Sequence, residues 1–234
     1  MVPRSAAQVQ ATGGAGAPAP ARDVYLDYAA ATPLDPRVLS AMEPYLTRCF
    51  ENPSAPYARA RAARDAVEGA RADIAHLMGA KPDGVIFTAG ATEANNLAFA
   101  ATDGGVVTDA AEHESVLACA QARGAVVVGV GADGRVDPER LCATIGPTTQ
   151  LVSVELANGE VGVVQPVREI ARRVAAVRQK RLAEGSRVPL WLHTDASQAA
   201  GSLSCNVTSL GADMVTLSAA KVYGPKQVGV LWAG

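Results

Sequence analysis

Among the residues of this 234-residue chain, Lys221 offers the most direct covalent chemistry. It follows an apolar run, 214–217, and the small residues Ser218-Ala219-Ala220. It precedes a Gly224-Pro225 turn, an arrangement that sets a lysine at the mouth of a strand. A lysine amine forms Schiff bases with carbonyl cofactors, and an enclosed apolar setting favours its neutral, nucleophilic form. Asp195 closes another apolar run, where a carboxylate is tolerated only against a cation or good donors. His113 lies just ahead of a helical segment; imidazole can stack on a planar ring and move protons near neutral pH. A fourth feature is Ala89-Gly90-Ala91-Thr92-Glu93, where a strand turns into a helix. Backbone N–H groups such as that of Ala91, together with the Thr92 hydroxyl, are there available to a phosphate. Each feature also has an ordinary role: a solvated lysine, a capping Asp or Thr, a capping or surface histidine.

The elements that must position these groups alternate along the chain. Apolar, β-rich runs at 85–88, 105–108, 126–130, 151–156, 190–193, 214–217 and 228–232 read as strands, most of them separated by helical segments or turns. Asp35-Pro36 opens a helix with Val38, Met42 and Leu46 on one face, and Asp137-Pro138 opens another. Residues 57–78 predict a long helix with Val67, Ala70, Ile74 and Leu77 inward, ending at Gly79. Residues 170–182 predict an amphipathic helix followed by Gly185. Apolar strands separated by helices imply an α/β fold, with a mainly parallel sheet covered by helices on both faces. In such sheets ligands bind beyond the carboxyl ends of the strands, where the four features fall.

Composition narrows the partners. With 21 basic and 23 acidic residues, the net charge of −2 gives no electrostatic reason to expect nucleic acid or an anionic membrane surface. The cysteines, Cys49, Cys119, Cys142 and Cys205, lack CxxC spacing, so neither a metal site nor a disulfide framework is expected. Residues 1–22, rich in Ala, Gly and Pro, read as a disordered tail without a signal-peptide core. Residues 23–234 read as one large domain, and the expected compartment is the cytoplasm.

An amine for an aldehyde, a carboxylate for a ring nitrogen, anchors for a phosphate and a stacking imidazole together match the needs of pyridoxal 5'-phosphate. Several segments carry a family resemblance in order along the chain. They are Tyr25-Leu26-Asp27-Tyr28-Ala29-Ala30-Ala31-Thr32-Pro33, Thr88-Ala89-Gly90-Ala91-Thr92-Glu93, Glu112-His113-Glu114-Ser115, Ala157-Asn158-Gly159-Glu160, His193-Thr194-Asp195-Ala196-Ser197-Gln198 and Lys221-Val222-Tyr223-Gly224-Pro225. With these the chain resembles the class V aminotransferase-like, fold-type-I pyridoxal-phosphate enzymes, most closely the cysteine desulfurases, with selenocysteine lyase nearby.

The resemblance implies that Lys221 holds the cofactor covalently and shuttles a proton, that Asp195 faces the ring nitrogen, and that His113 stacks on the ring. It implies Gln198 at the phenolic oxygen, Ala91, Thr92 and Ser218 at the phosphate, and Asn158 beside the ring and the substrate carboxylate. It further implies L-cysteine as substrate, a homodimer, a sulfur-acceptor or iron–sulfur scaffold protein as partner, and a small C-terminal domain carrying a catalytic cysteine loop, with no counterpart in this sequence. Two positions depart from the family pattern: Ala220 where a phosphate-binding histidine is usual, and Gly159 where asparagine is usual.

Overall fold

In the computed structural model, residues 24–234 are described; the tail expected at 1–22 lies outside them. Seven strands form one sheet in the order β1-β7-β6-β5-β4-β2-β3. They are β1 (Val85–Thr88), β2 (Gly105–Asp109), β3 (Val126–Val128), β4 (Thr149–Ser153), β5 (Trp191–Asp195), β6 (Met214–Ser218) and β7 (Gly229–Ala233). Neighbours from β6 through β3 pair in parallel, whereas β7 runs antiparallel to both β1 and β6. The mainly parallel α/β sheet inferred from the sequence is therefore present, with one reversed strand.

The strands are apolar because both faces are covered. Consecutive residues supply opposite sides: Val106, Leu151, Met214 and Leu231 join one apolar cluster, and Val107, Val152, Val215 and Val230 the other. That split is the two-residue period of a strand sandwiched between helix layers. Helices α3 (Ala91–Ala100) and α4 (Glu114–Ala122) cover the first side through Ala94, Ala98, Phe99, Val116 and Ala120. On the second side lie α2 (Ala58–Met78), α5 (Pro138–Ala143), α6 (Val167–Ala183) and α7 (Val207–Leu210).

Helix ends follow the expected cap chemistry. Asp35 accepts from the Arg37 N–H at 2.7 Å to start α1 (Pro36–Thr47), and Asp137 accepts from Glu139 and Arg140 to start α5. Gly79 ends α2 in the left-handed region at φ 62°. The inward faces expected for α1 and α2 need correction. In α2 the buried residues are Ala60, Ala63, Ala75 and Met78, while Val67 and Leu77 face outward. Ile74, from the expected face, does pack against the core, so the buried face is rotated from the expected one and mixes small alanines with Met78. Helix α1 buries nothing, and Leu46 is exposed. No helix among the described residues is long and apolar enough to cross a membrane.

Candidate functional site

The parallel strands deliver their carboxyl ends to one edge of the sheet, and the polar residues collect there. Register aligns Thr88 and Ser218 with Gly229 across three adjacent strands. A Cβ on Gly229 would lie 2.5 Å from the backbone carbon of Gly90, so only glycine lets β7 start this close to the turn after β1. Gly90 itself has φ 138° and forms the N-cap of α3. The Thr88 hydroxyl donates to the Gly90 carbonyl at 2.9 Å, and the Glu93 carboxylate accepts from the Ala89 N–H at 2.5 Å.

Helix α3 begins at Ala91, earlier than the sequence suggested, and its first internal bond runs from the Ala94 N–H to the Gly90 carbonyl. The N–H groups of Ala91 and Thr92 in that first turn therefore have no helical acceptor and point along the positive end of the helix dipole. Thr92 is not the cap; it is the exposed second helical residue. The Ser218 side chain is buried and does not cap the 3-10 turn Ala219–Lys221 that follows it. Ala91, Thr92 and Ser218 thus offer donors of the kind a phosphate needs.

Lys221 is half-buried, less enclosed than its surroundings in sequence suggested, and its Nζ donates to the carbonyls of Ala29 (2.6 Å) and Ala30 (2.8 Å). Its loop is stapled to the N-terminal segment: Thr32 donates through N and Oγ1 to the Ala220 carbonyl, and Tyr223 donates from its N–H to Thr32 Oγ1. Tyr223 and Gln227 take positive φ, 59° and 58°, a conformation costly for non-glycine residues and commonest where function over-determines the backbone. Gln198 lies in the same neighbourhood, donating to the Ala29 carbonyl at 2.8 Å. A Cβ at position 159 would lie 2.5 Å from Gln198 Nε2, so Gly159 provides the space that the Gln198 amide fills.

Asp195 ends β5 with its carboxylate buried, accepting from the Ser197 N–H at 2.9 Å and from Asn95 Nδ2 at 2.8 Å. His113 is exposed and caps α4, its Nδ1 accepting from the Ser115 N–H at 3.1 Å. The capping role weighed for it is real, and it leaves the other ring nitrogen free of that duty. Asn158 is committed elsewhere: Nδ2 donates to the Ala111 carbonyl, and Oδ1 accepts from the Glu160 and Val161 N–H groups, each at 2.8 Å. Its side chain therefore holds the loops after β2 and β4 together, with one Nδ2 hydrogen left over.

Beneath this surface lies a buried acidic group that the sequence reading did not single out. Asp109, Glu112 and Glu155 are each 5 % exposed or less. Burial pushes the Asp109 carboxyl up to about 6 and Glu155 up to about 8. Glu112 is pushed well above its ordinary range by burial, then by the charges of Asp109, Asp195 and Glu155. Ser153 Oγ lies 3.1 Å from Glu112 and 2.9 Å from His193 Nδ1, while His193 Nε2 meets Thr216 Oγ1 at 3.0 Å. Burial holds His193 down at about 4, against the opposing pull of Asp195. The available signal was a polar residue inside or just after a doubly covered strand, such as His193 in β5 or Glu155 after β4. Among the described residues no group of His, Cys, Asp or Glu could hold a metal ion.

A cavity of about 450 Å³ opens elsewhere, lined by Leu156, Val167, Arg172, Leu203 and Leu210, and contains none of the strand-end residues. The strand-end surface carries exposed aromatic side chains. Tyr25, Tyr28 and Tyr223 are about half exposed beside it, with the Tyr25 and Tyr28 rings 5.5 Å apart, edge to face.

Comparison with known proteins agrees with this arrangement. The family profile Aminotransferase class-V matches residues 24–234, and the chain belongs to that family, whose cofactor is pyridoxal phosphate. Human selenocysteine lyase is 36% identical over 244 residues, covering 91% of this chain and 54% of that protein. Cysteine desulfurase IscS of Dictyoglomus turgidum is 39% identical over 223 residues, covering 90% of this chain and 54% of that one. Among solved structures, SspA in complex with cysteine superposes with a TM-score of 0.79 at 34% identity, covering 89% of this chain and 60% of that one. The chain thus spans about half the length of the curated relatives it matches.

The departure at Ala220 is open to a direct check. Its carbonyl is occupied by Thr32, but its side chain supplies no donor. Ala220→His is expected to tighten pyridoxal-phosphate binding roughly tenfold, the worth of one charge-assisted hydrogen bond. Fluorescence titration of the cofactor against both proteins measures it; equal affinities would show that position 220 does not reach the phosphate.

Proposed function

We propose that residues 23–234 are the pyridoxal-phosphate-binding large domain of a cysteine desulfurase, which converts L-cysteine to L-alanine and passes the sulfur to an enzyme cysteine. The observation that carries this reading is the gathering at one sheet edge of Lys221, Asp195 and the uncapped N–H groups of α3. Pyridoxal phosphate, when bound, supplies the electron sink that makes the substrate Cα proton removable.

In this reading Lys221 releases the Ala29 and Ala30 carbonyls to engage the cofactor and then carries the proton. Asp195, fixed by Asn95 and Ser197, faces the ring nitrogen. Ala91, Thr92 and Ser218 bind the phosphate, Gln198 turns from Ala29 to the phenolic oxygen, and His113 lies over the ring. Asn158 lies beside the ring and the substrate carboxylate, held in place by its bonds to Ala111, Glu160 and Val161. Selenocysteine is the alternative substrate, supported by the likeness to human selenocysteine lyase.

The sulfur-carrying role is not assigned to Cys49, Cys119, Cys142 or Cys205, none of which makes a hydrogen bond to the strand-end residues. A homodimer is supported by the apolar residues left open beside the site and on α1, Tyr28, Leu39, Leu46 and Tyr223 among them. The remaining elements of the reading are a sulfur-acceptor or iron–sulfur scaffold protein as partner and a cytoplasmic location. Borohydride trapping tests the core of it. After incubation with pyridoxal phosphate, reduction and digestion, mass spectrometry is expected to find the pyridoxyl group on Lys221. No adduct, or scattered labelling, would favour a non-catalytic scaffold.

A further inference from the structure

Asp195 and His113 end up at opposite ends of one hydrogen-bonded chain. Asn95 is completely buried in α3, and its Nδ2 lies 2.8 Å from Asp195 Oδ2 and 3.0 Å from Ser115 Oγ. Ser115 Oγ in turn lies 2.8 Å from His113 Nδ1. The direction of each bond follows from what each group can do. A carboxylate oxygen without a proton only accepts, so the Asn95 amide must present Nδ2, with its two hydrogens, to Asp195 and Ser115. Its Oδ1 is left buried without a partner, a cost that the reversed amide, with oxygen facing Asp195, would exceed. Having accepted from Asn95, the Ser115 hydroxyl has its single hydrogen left for His113. Nδ1 then receives two donors, the Ser115 hydroxyl and the Ser115 backbone N–H.

We propose that Asn95 and Ser115 are positioning residues that tie His113 to Asp195 and hold the neutral imidazole as the tautomer protonated on Nε2. That tautomer presents an N–H on the side of the ring away from α4. For its use in the reaction the inference rests on the cofactor reading above, in which His113 lies over the ring. The geometry needs no cofactor. Asn95 orients Ser115, Ser115 orients His113, and the same Asn95 nitrogen fixes Asp195, so the two catalytic groups share one buried anchor.

The chain has three histidines, which makes imidazole ¹⁵N spectra of the whole protein tractable. Long-range ¹H–¹⁵N correlation at pH 8.5 without cofactor, with His113 assigned by its loss in His113→Gln, is expected to show Nε2 protonated and Nδ1 bare. Ser115→Ala removes one of the two donors and should lower the Nε2-H to Nδ1-H ratio roughly 3–10-fold, the scale of one hydrogen bond. Ser115→Thr keeps the hydroxyl and should restore the ratio, which a merely packing role would not require. Asn95→Ala should shift the ratio in the same direction as Ser115→Ala. An Nδ1-protonated His113 in the unaltered protein, or a ratio unmoved by Ser115→Ala, overturns the proposal. Trapping at Lys221 in the same preparations separates the two ideas: an unlabelled Lys221 with the expected tautomer supports the relay and removes the cofactor reading, whereas a labelled Lys221 with an unmoved ratio removes the relay alone.

Discussion

Lys221→Ala and Lys221→Arg are both expected to abolish borohydride-trapped pyridoxyl labelling, and only the first to loosen the fold. Nζ holds the carbonyls of Ala29 and Ala30 at 2.6 and 2.8 Å, so alanine frees the 27–31 turn as well as removing the amine. Arginine keeps donors for those carbonyls, but its guanidinium stays protonated at every accessible pH and cannot attack an aldehyde. Lysine's two duties thus come apart. Loss of the charge-assisted bonds at this half-exposed position should lower stability by about 1–2 kcal/mol in Lys221→Ala, a fall in Tm of several degrees for a domain of this size. Mass spectrometry of trapped digests and thermal unfolding of the three proteins read the two effects separately. Lys226 is the control, because its ammonium donates to the Thr32 carbonyl a few residues along the same segment. Retention of the adduct in Lys221→Ala, on Lys226 or elsewhere, would show that the reactive amine has been misassigned.

The strands were legible because their environment is simple. A strand covered on both faces must be apolar at nearly every position, so β2, β4, β5, β6 and β7 stand out as runs, and each ends within a few residues of its expected limit. Strand direction was not legible. Nothing local in Val228-Gly229-Val230-Leu231-Trp232 distinguishes the antiparallel β7 from its parallel neighbours, because direction is decided by the connection and by pairing with β1. Helix faces were legible only in part. Periodicity in α2 placed Ile74 correctly against the core but also offered Val67 and Leu77, whereas the buried residues are Ala60, Ala63, Ala75 and Met78.

At the site, the residues that open or close elements were legible: Lys221 after β6, Asp195 at the end of β5, and the turn from β1 into α3. Their chemistry is tied to their place along the chain, and the strand-end rule does the rest. The connecting residues were not legible. Asn95 and Ser115 meet across 20 residues, and Asn95 and Asp195 across 100, so no local pattern could join them. Asn158 adds a duty of the same kind: the resemblance implies a ligand contact, and three hydrogen bonds that no local pattern announces also make it hold the loops after β2 and β4.

The buried acids below the site lead to the last prediction, a stability that declines as pH rises. Glu155 is held at about 8, chiefly by burial, against an ordinary value of 4.5 in the unfolded chain. Between those values the folded state binds the extra proton, and the slope of unfolding free energy with pH is negative there. The protein therefore loses stability from about pH 4.5 up to about 8 through this group, and the whole penalty is present above that. Glu112, raised in the same direction, adds to it; Asp109, at about 6, completes its contribution lower down. His193 has the opposite sign: held at about 4, it costs stability as pH falls from 6.5 toward 4, so the maximum lies on the acid side of neutral. Glu155→Gln removes the charge and nearly keeps the shape. It should leave stability near pH 4.5 little changed, raise it part-way at pH 6, and raise it at pH 9 by on the order of 2–4 kcal/mol, or ~5–15 °C in Tm. Urea unfolding at these pH values measures the difference. An equal effect of Glu155→Gln at pH 4.5 and pH 9 would mean that Glu155 ionises at its ordinary pH in the folded protein, with its charge solvated or paired, and that this acid does not hold a proton at neutral pH.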